Sequence, residues 1–158
     1  MASQPRAVFR EEGIIVDDAI NQYHAPDRYP GPHVFPKHLQ KKVRKYIADP
    51  FTSRVDPASI QAKKIFKFGR GTYTVQIDQV RDGAVWDVKY SRRGEESLLD
   101  YSLPQLVISA YAFGLRIGGI INVRNYGTSR PVYHHVAESN LSVTELMCLV
   151  HNILELSL

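Results

Sequence analysis

The chain has 158 residues, of which 44% are hydrophobic and 23% are charged, and its formal net charge is +4. This length fits one domain of ordinary size, and this apolar content excludes a chain that is disordered throughout. A single cysteine, Cys148, excludes an internal disulfide and a zinc site built from several thiolates. With no apolar N-terminal run typical of a signal peptide and no clean transmembrane segment, we expect an intracellular protein, cytoplasmic or nuclear.

Residues 1–36 are predicted to form an extended N-terminal arm, followed by a single α+β domain over residues 37–158. Prolines in the arm remove backbone donors and interrupt regular hydrogen bonding. Such an arm offers surface to a neighbouring copy, so it predicts self-association. The prolines concerned are Pro26, Pro30, Pro32 and Pro36.

The positive charge is concentrated in residues 37–70, which carry ten lysines and arginines against two aspartates, a net charge of +8. The segment Lys37–Ala48 places Leu39, Val43 and Ile47 at helical spacing and predicts a basic amphipathic helix. Clustered positive charge is typical of a surface that binds RNA or DNA. An anionic membrane surface or an acidic protein surface is the alternative partner. The candidate nucleic-acid-binding residues are Lys37, Lys41, Lys42, Arg44, Lys45, Lys63, Lys64, Lys67 and Arg70.

Three stretches of alternating or β-branched residues, at 64–68, 72–80 and 84–90, predict an antiparallel β meander. Asp82-Gly83 is a strong signal for a two-residue hairpin loop between the last two strands. That loop sets a register in which Ile77 lies opposite Val88. The same register places Asp78 opposite Asp87, with Lys89 on the same side of the hairpin.

Two carboxylates and a lysine on adjacent strands are what metal-dependent phosphodiester cleavage requires, because carboxylates hold Mg²⁺ and a lysine orients the attacking water. The triplet Asp87-Val88-Lys89, preceded by Asp78, resembles the core of the PD-(D/E)xK nucleases. Ile77 stands where that family usually has proline, and the spacing between the acids is shorter. The resemblance implies a Mg²⁺-dependent nuclease with catalytic Asp78, Asp87 and Lys89. A solvent-facing charge cluster is the alternative interpretation.

The C-terminal half predicts a buried central helix over residues 102–117, then a second hairpin formed by residues 120–126 and 131–136. Ser142 followed three residues later by Glu145 forms a capping box, which predicts the start of an amphipathic C-terminal helix. The fold class is therefore α+β: an antiparallel meander and a second hairpin packed with a basic N-terminal helix, a central helix and a C-terminal helix.

The charge distribution favours a small basic module without enzymatic activity or cofactor, which binds RNA or DNA through residues 37–70. We expect it to self-associate through the arm or the C-terminal helix, as small viral structural or accessory proteins do. One alternative is the divalent-metal nuclease that uses Asp78, Asp87 and Lys89. Another is an assembly subunit that binds an acidic protein or an anionic membrane surface.

Overall fold

The computed structural model describes residues 6–136 and 141–156. Its strands form a two-stranded sheet, β1–β2, and a four-stranded sheet in the order β3–β4–β5–β6. The α+β class is confirmed. The helices are α1 (Arg6–His24), α2 (Lys37–Ala48), α3 (Glu95–Phe113) and α4 (Val143–Leu156); the strands are β1 (Lys63–Phe68), β2 (Gly71–Gln76), β3 (Gln79–Arg81), β4 (Ala84–Lys89), β5 (Arg116–Asn122) and β6 (Tyr133–His135).

Strand β4 is the centre of the larger sheet, and it is buried on both faces from Ala84 to Val88. It pairs antiparallel with β3 on one side and parallel with β5 on the other, with α3 as the crossover between them. Trp86 packs in a core with residues of α1 and α2. Val85 points to the opposite face, where α3 and α4 form a second core. This burial on two faces is typical of a strand with a parallel neighbour.

The expected meander is divided between the two sheets. β2 ends at Gln76 and pairs only with β1, while β3 begins at Gln79 and pairs with β4. The expected facing pairs of Ile77 with Val88 and of Asp78 with Asp87 therefore lie outside the strand ladder. Val88 and Ile77 even belong to different cores.

The Asp82-Gly83 hairpin and its register are confirmed over the three pairs that β3 forms. Gln79 pairs with Trp86, and Arg81 pairs with Ala84. Both loop residues have positive φ, 49° at Asp82 and 74° at Gly83. A type I′ turn requires this conformation, which Asp and Gly adopt readily.

The prediction of an extended arm is wrong for residues 6–24, which form α1. Val16, Ala19 and Ile20 recur at helical spacing and are 5% exposed or less. They pack against α2 and β4 in the first core. All the prolines of the predicted arm except Pro5 follow this segment, so nothing interrupts the helix before His24.

The basic helix over Lys37–Ala48 is confirmed, and so is the capping box of α4. The Ser142 hydroxyl accepts a hydrogen bond from the Glu145 N–H at 3.1 Å, and the Glu145 carboxylate accepts one from the Ser142 N–H at 3.3 Å. The central helix begins at Glu95, earlier than expected, and ends where Gly114 adopts a left-handed φ of 66°. None of the helices in the described ranges is long and apolar enough to cross a membrane.

The second hairpin is confirmed as the antiparallel pair β5–β6, although β5 begins earlier, at Arg116. Gly119 lies in this pair opposite His135. A side chain at Gly119 would run into the carbonyl oxygen of His134, a backbone atom that cannot move aside. Close approach of β6 to β5 therefore requires glycine at this position.

We expect Gly119→Ala to destabilise the fold by about 2 kcal/mol or more, because overpacking against fixed backbone typically costs about 1–3 kcal/mol. Gly94→Ala is the matched control, since no atom lies within 4 Å of the position its Cβ would take. Chemical denaturation of both variants measures the difference. Equal stability of the two would contradict this account of the β5–β6 contact.

A buried cluster of hydrogen-bonded side chains connects β3 to α2. Arg81 is 1% exposed. Its guanidinium donates hydrogen bonds to the Gln79 side chain at 2.7 Å and to the Tyr46 hydroxyl at 3.2 Å. The guanidinium carbon also lies 4.8 Å from the centroid of the Phe51 ring. These contacts fix the strand that directly follows Asp78.

Candidate functional site

Asp78, Asp87 and Lys89 meet at the edge of β4, at the point where β3 no longer covers it. Asp78 lies in the two-residue link between β2 and β3. Its Oδ2 accepts a hydrogen bond from the backbone N–H of Val88 at 2.7 Å, and its Oδ1 accepts one from the Gln61 side chain at 3.1 Å. A carboxylate thus takes the position of a strand partner for this part of β4.

Asp87 and Lys89 project from the same face of β4, because side chains two residues apart on a strand share a face. Asp87 is 8% exposed. Its Oδ2 lies 3.4 Å from Nζ of Lys89. Apart from this ion pair, the buried Oδ2 atom has no hydrogen-bond partner in the described part of the chain. A buried carboxylate oxygen is costly unless it is paired, and a bound cation would add to the pairing that Lys89 supplies.

The charges at this edge of the sheet act on one another. Burial raises the pKa of Asp78 well above its usual value, and repulsion from Asp87 and Asp17 raises it further. Burial of Lys89 acts to lower its pKa, but the attraction of Asp87 and Asp78 outweighs this effect and the pKa is raised. Lys89 therefore stays an ammonium cation between the two acids.

Asp17 on α1 joins this group, and the sequence analysis did not identify it. The residue is exposed to solvent. Even so, loss of hydration against neighbouring protein atoms raises the pKa of its carboxyl group, and Asp18 and Asp87 add to the increase while Lys89 opposes it. The helical spacing of Val16, Ala19 and Ile20 is the signal that would have placed Asp17 on a packed helix.

An open cleft of about 1280 Å³ lies between α1, the segment that follows β4, and α3. Two segments of the chain connect the lining of the cleft to the cluster. Ile14 is one helical turn before Asp17, and Ser91 follows Lys89 by two residues along the chain. The lining residues are Phe9, Arg10, Glu11, Ile14, Ser91, Arg92, Arg93 and Tyr101.

Cations and rings alternate along the cleft wall. The Arg92 guanidinium lies 4.4 Å from the centroid of the Phe9 ring, and the Arg93 guanidinium lies 4.8 Å from that of Tyr101. Tyr101 is 66% exposed. Arginines and an exposed ring beside acids suit a polyanion with planar bases better than a neutral small molecule.

The residues predicted to bind nucleic acid occupy two surfaces. Lys37, Lys41, Arg44 and Lys45 lie on α2, whereas Lys63, Lys64, Lys67 and Arg70 lie on the β1–β2 hairpin, and all eight are exposed. The exception is Lys42. Its ammonium donates hydrogen bonds to the backbone carbonyls of Arg124 and Tyr126, so it supports the turn after β5.

The acids at the edge of β4 fit a hard divalent cation. Within residues 6–136 and 141–156, no three His, Cys, Asp or Glu side chains form a group that would hold a metal ion. Mg²⁺ keeps several of its own waters and is commonly bound through one or two carboxylates. Asp78 and Asp87 supply two, and Oδ2 of Asp87 has no polar partner among the described residues besides the Lys89 ammonium.

Comparison of the chain with protein-family models, with curated proteins and with solved structures finds no significant match. The chemistry of the cluster and the shape around it are therefore the basis for assigning a function.

We expect the stability difference between Asp78→Asn and the wild type to depend on pH. Because its pKa is raised in the folded protein, Asp78 holds its proton more tightly in the folded than in the unfolded chain. Its ionisation therefore destabilises the fold as the pH rises above about 4, and each unit of pKa difference contributes about 1.4 kcal/mol. Asparagine removes this ionisation, so the stability of the variant relative to the wild type should rise between pH 4 and pH 8.

Denaturant unfolding across this pH range measures the effect. The slope of the stability difference against pH reports the ionisation, because the loss of a hydrogen bond would add a difference that is independent of pH. Asp82→Asn is the matched control. Asp82 is exposed in the hairpin loop at a positive φ that asparagine tolerates. A pH-independent difference for Asp78→Asn would show that Asp78 has an ordinary pKa.

Proposed function

We propose that the protein is a divalent-metal-dependent nuclease that hydrolyses phosphodiester bonds at Asp78, Asp87 and Lys89. The observation that carries this proposal is the buried Oδ2 atom of Asp87, whose one polar partner among the described residues is the Lys89 ammonium at 3.4 Å. A solvent-facing charge cluster would leave such an oxygen hydrated. A binding-only module gives no role to two neighbouring desolvated acids.

Asp78 and Asp87 would hold the metal ion, with Mg²⁺ the best match to two carboxylates and bound waters. When bound, the ion supplies Lewis-acid activation of a phosphoryl oxygen and of water. The raised pKa of Lys89 keeps its side chain positively charged. Lys89 is therefore suited to orient the attacking water and to neutralise charge on the phosphate, rather than to accept a proton.

The cleft beside the cluster would hold the polynucleotide on either side of the reacting phosphate. Arg10, Arg92 and Arg93 offer guanidinium groups along its wall, and guanidinium groups pair with phosphate oxygens through two parallel hydrogen bonds. Glu11 is the acid in this wall. The exposed basic residues of α2 and of the β1–β2 hairpin apart from Lys64, first interpreted as the surface of a binding module, become the substrate-binding surface of a nuclease.

Self-association stays a prediction, with a narrower basis than the sequence suggested. The apolar side of α1 packs in the protein's own core. Exposed apolar residues do occur on α4, where Val143 is 69% exposed and Met147 is 44% exposed. A second copy is therefore proposed to contact α4 rather than an N-terminal arm.

The test is cleavage of end-labelled DNA and RNA oligonucleotides with Mg²⁺ and with a chelator. We expect cleavage by the wild type only with the metal, and a rate reduced at least about 100-fold in Asp78→Asn and in Lys89→Ala, because each loses charge stabilisation of several kcal/mol. Asp82→Asn should cleave at the wild-type rate.

Two results would overturn the proposal. One is the absence of metal-dependent cleavage of every oligonucleotide by the folded wild type. The other is equal cleavage by the wild type, Asp78→Asn and Lys89→Ala, which would identify a contaminating nuclease. Nucleic-acid binding without cleavage would favour the non-enzymatic binding module instead.

A further inference from the structure

The β1–β2 hairpin presents one face to solvent and packs the other onto α3. Phe66 and Val75 are buried on the inner face, and the Phe66 ring centroid lies 5.9 Å from that of Tyr111 on α3. The outer face has no cover from the described residues. It consists of three directly opposed, exposed pairs: Lys63 with Gln76, Ile65 with Thr74, and Lys67 with Thr72.

Charge on this hairpin has a single sign. Residues 61–77 include four basic residues and no acid. Two of these, Lys63 and Lys67, lie on the outer face, and Arg70 lies in the loop. A face of lysine, threonine and glutamine around one exposed isoleucine, Ile65, is chemically complementary to phosphates and to the edges of base pairs.

The outer face favours paired over unpaired bases. Single-stranded nucleic acid is held mainly by aromatic rings on which its bases stack, and Phe66, Phe68 and Tyr73 all lie on the inner face. A two-stranded β-ribbon fits the major groove of B-form DNA. The major groove of A-form RNA is too narrow for side chains to enter and read.

One hydrogen bond closes the base of this hairpin, and two more join it to Asp78 of the candidate site. The Ile77 N–H donates to the Ala62 carbonyl at 2.9 Å, and the Gln61 N–H donates to the Asp78 carbonyl at 3.1 Å. The Gln61 side chain also donates to the Asp78 carboxylate at 3.1 Å. The position of the hairpin and the position of Asp78 are therefore set together.

We propose that the outer face of the β1–β2 hairpin docks in the major groove of duplex DNA and brings one phosphodiester to Asp78, Asp87 and Lys89. The delivery of a phosphodiester to these residues rests on the proposed nuclease function. The docking of the hairpin does not, and it is measured without catalysis.

The experiment is fluorescence anisotropy with a labelled DNA duplex, its single strand and an RNA duplex of the same sequence, in chelator so that no metal-dependent cleavage takes place. Lys63→Ala and Lys67→Ala should each weaken DNA duplex binding by threefold to tenfold, an estimate of about one phosphate contact, and should lower the slope of log affinity against log salt by about 0.9. Lys64→Ala is the matched control, because Lys64 is on the same strand but its ammonium lies 5.7 Å from the Phe113 ring centroid on the inner face.

Wild-type protein should also bind the DNA duplex at least tenfold more tightly than either other probe. Equal effects of Lys64→Ala and Lys67→Ala would overturn the inference, because the charge would then act without a defined face. Equal or tighter binding of the single strand or of the RNA duplex would overturn it as well.

The two proposals fail in different ways. Loss of DNA duplex binding in Lys63→Ala and Lys67→Ala, together with no cleavage by the wild type in Mg²⁺, supports the docking face and removes the nuclease. Cleavage by the wild type, with unchanged duplex binding in both lysine variants, supports the nuclease and removes the docking face.

Discussion

The hydrogen bond between the Val88 N–H and the Asp78 carboxylate sets the arrangement of the whole site. Because a side chain occupies this position, the β3 backbone stops at Gln79 and no longer shields the end of β4. The chain before Asp78 is then free to leave the sheet and pair as the separate β1–β2 hairpin. One local contact thus exposes the edge of β4, brings Asp78 beside Asp87, and fixes the hairpin next to both.

The buried charges at this edge of the sheet destabilise the fold. Desolvated acids repel one another, and a natural fold tolerates such a conflict mainly where it serves binding or catalysis. Buried polar groups elsewhere in the described residues are of two kinds. Glu12 Oε1, Ser102 Oγ and the ring nitrogens of His134 also lack hydrogen-bond partners, whereas others are satisfied. Arg81 donates hydrogen bonds to Gln79 and Tyr46, and the Lys42 ammonium donates to two backbone carbonyls. What distinguishes the cluster is that two acids and a lysine meet at one strand edge, where the charges of Asp87 and Lys89 act on Asp78.

Features set by local chemistry could be predicted from the sequence. The capping box at Ser142 and Glu145 and the turn at Asp82-Gly83 depend on neighbouring residues alone, so the start of α4 and the β3–β4 register are correct. The bounds of α2 are correct for the same reason, since its apolar spacing is unambiguous and Asp49-Pro50 ends it.

Features set by tertiary contacts were not predicted. Alternation continues through residues 72–80. Only the hydrogen bond between the Val88 N–H and the Asp78 carboxylate shows that these residues belong to two sheets. The parallel partner β5 explains why β4 is buried on both faces, and it is distant in sequence. Part of the candidate site, namely Asp78, Asp87 and Lys89, was identified from the hairpin register. Asp17 was missed because the proline-rich segment that follows α1 led to the prediction of an extended arm.

The account is tested most directly by calorimetric titration of Mg²⁺ into the folded protein at two pH values. Because the pKa of Asp78 is raised, protons compete with the ion for this carboxylate and the affinity for Mg²⁺ should rise with pH. We predict one Mg²⁺ per chain for the wild type and Asp82→Asn, and no binding for Asp78→Asn. Absence of Mg²⁺ binding to the wild type, or equal binding to Asp78→Asn, would contradict the assignment of this edge of the sheet as a metal-dependent active site.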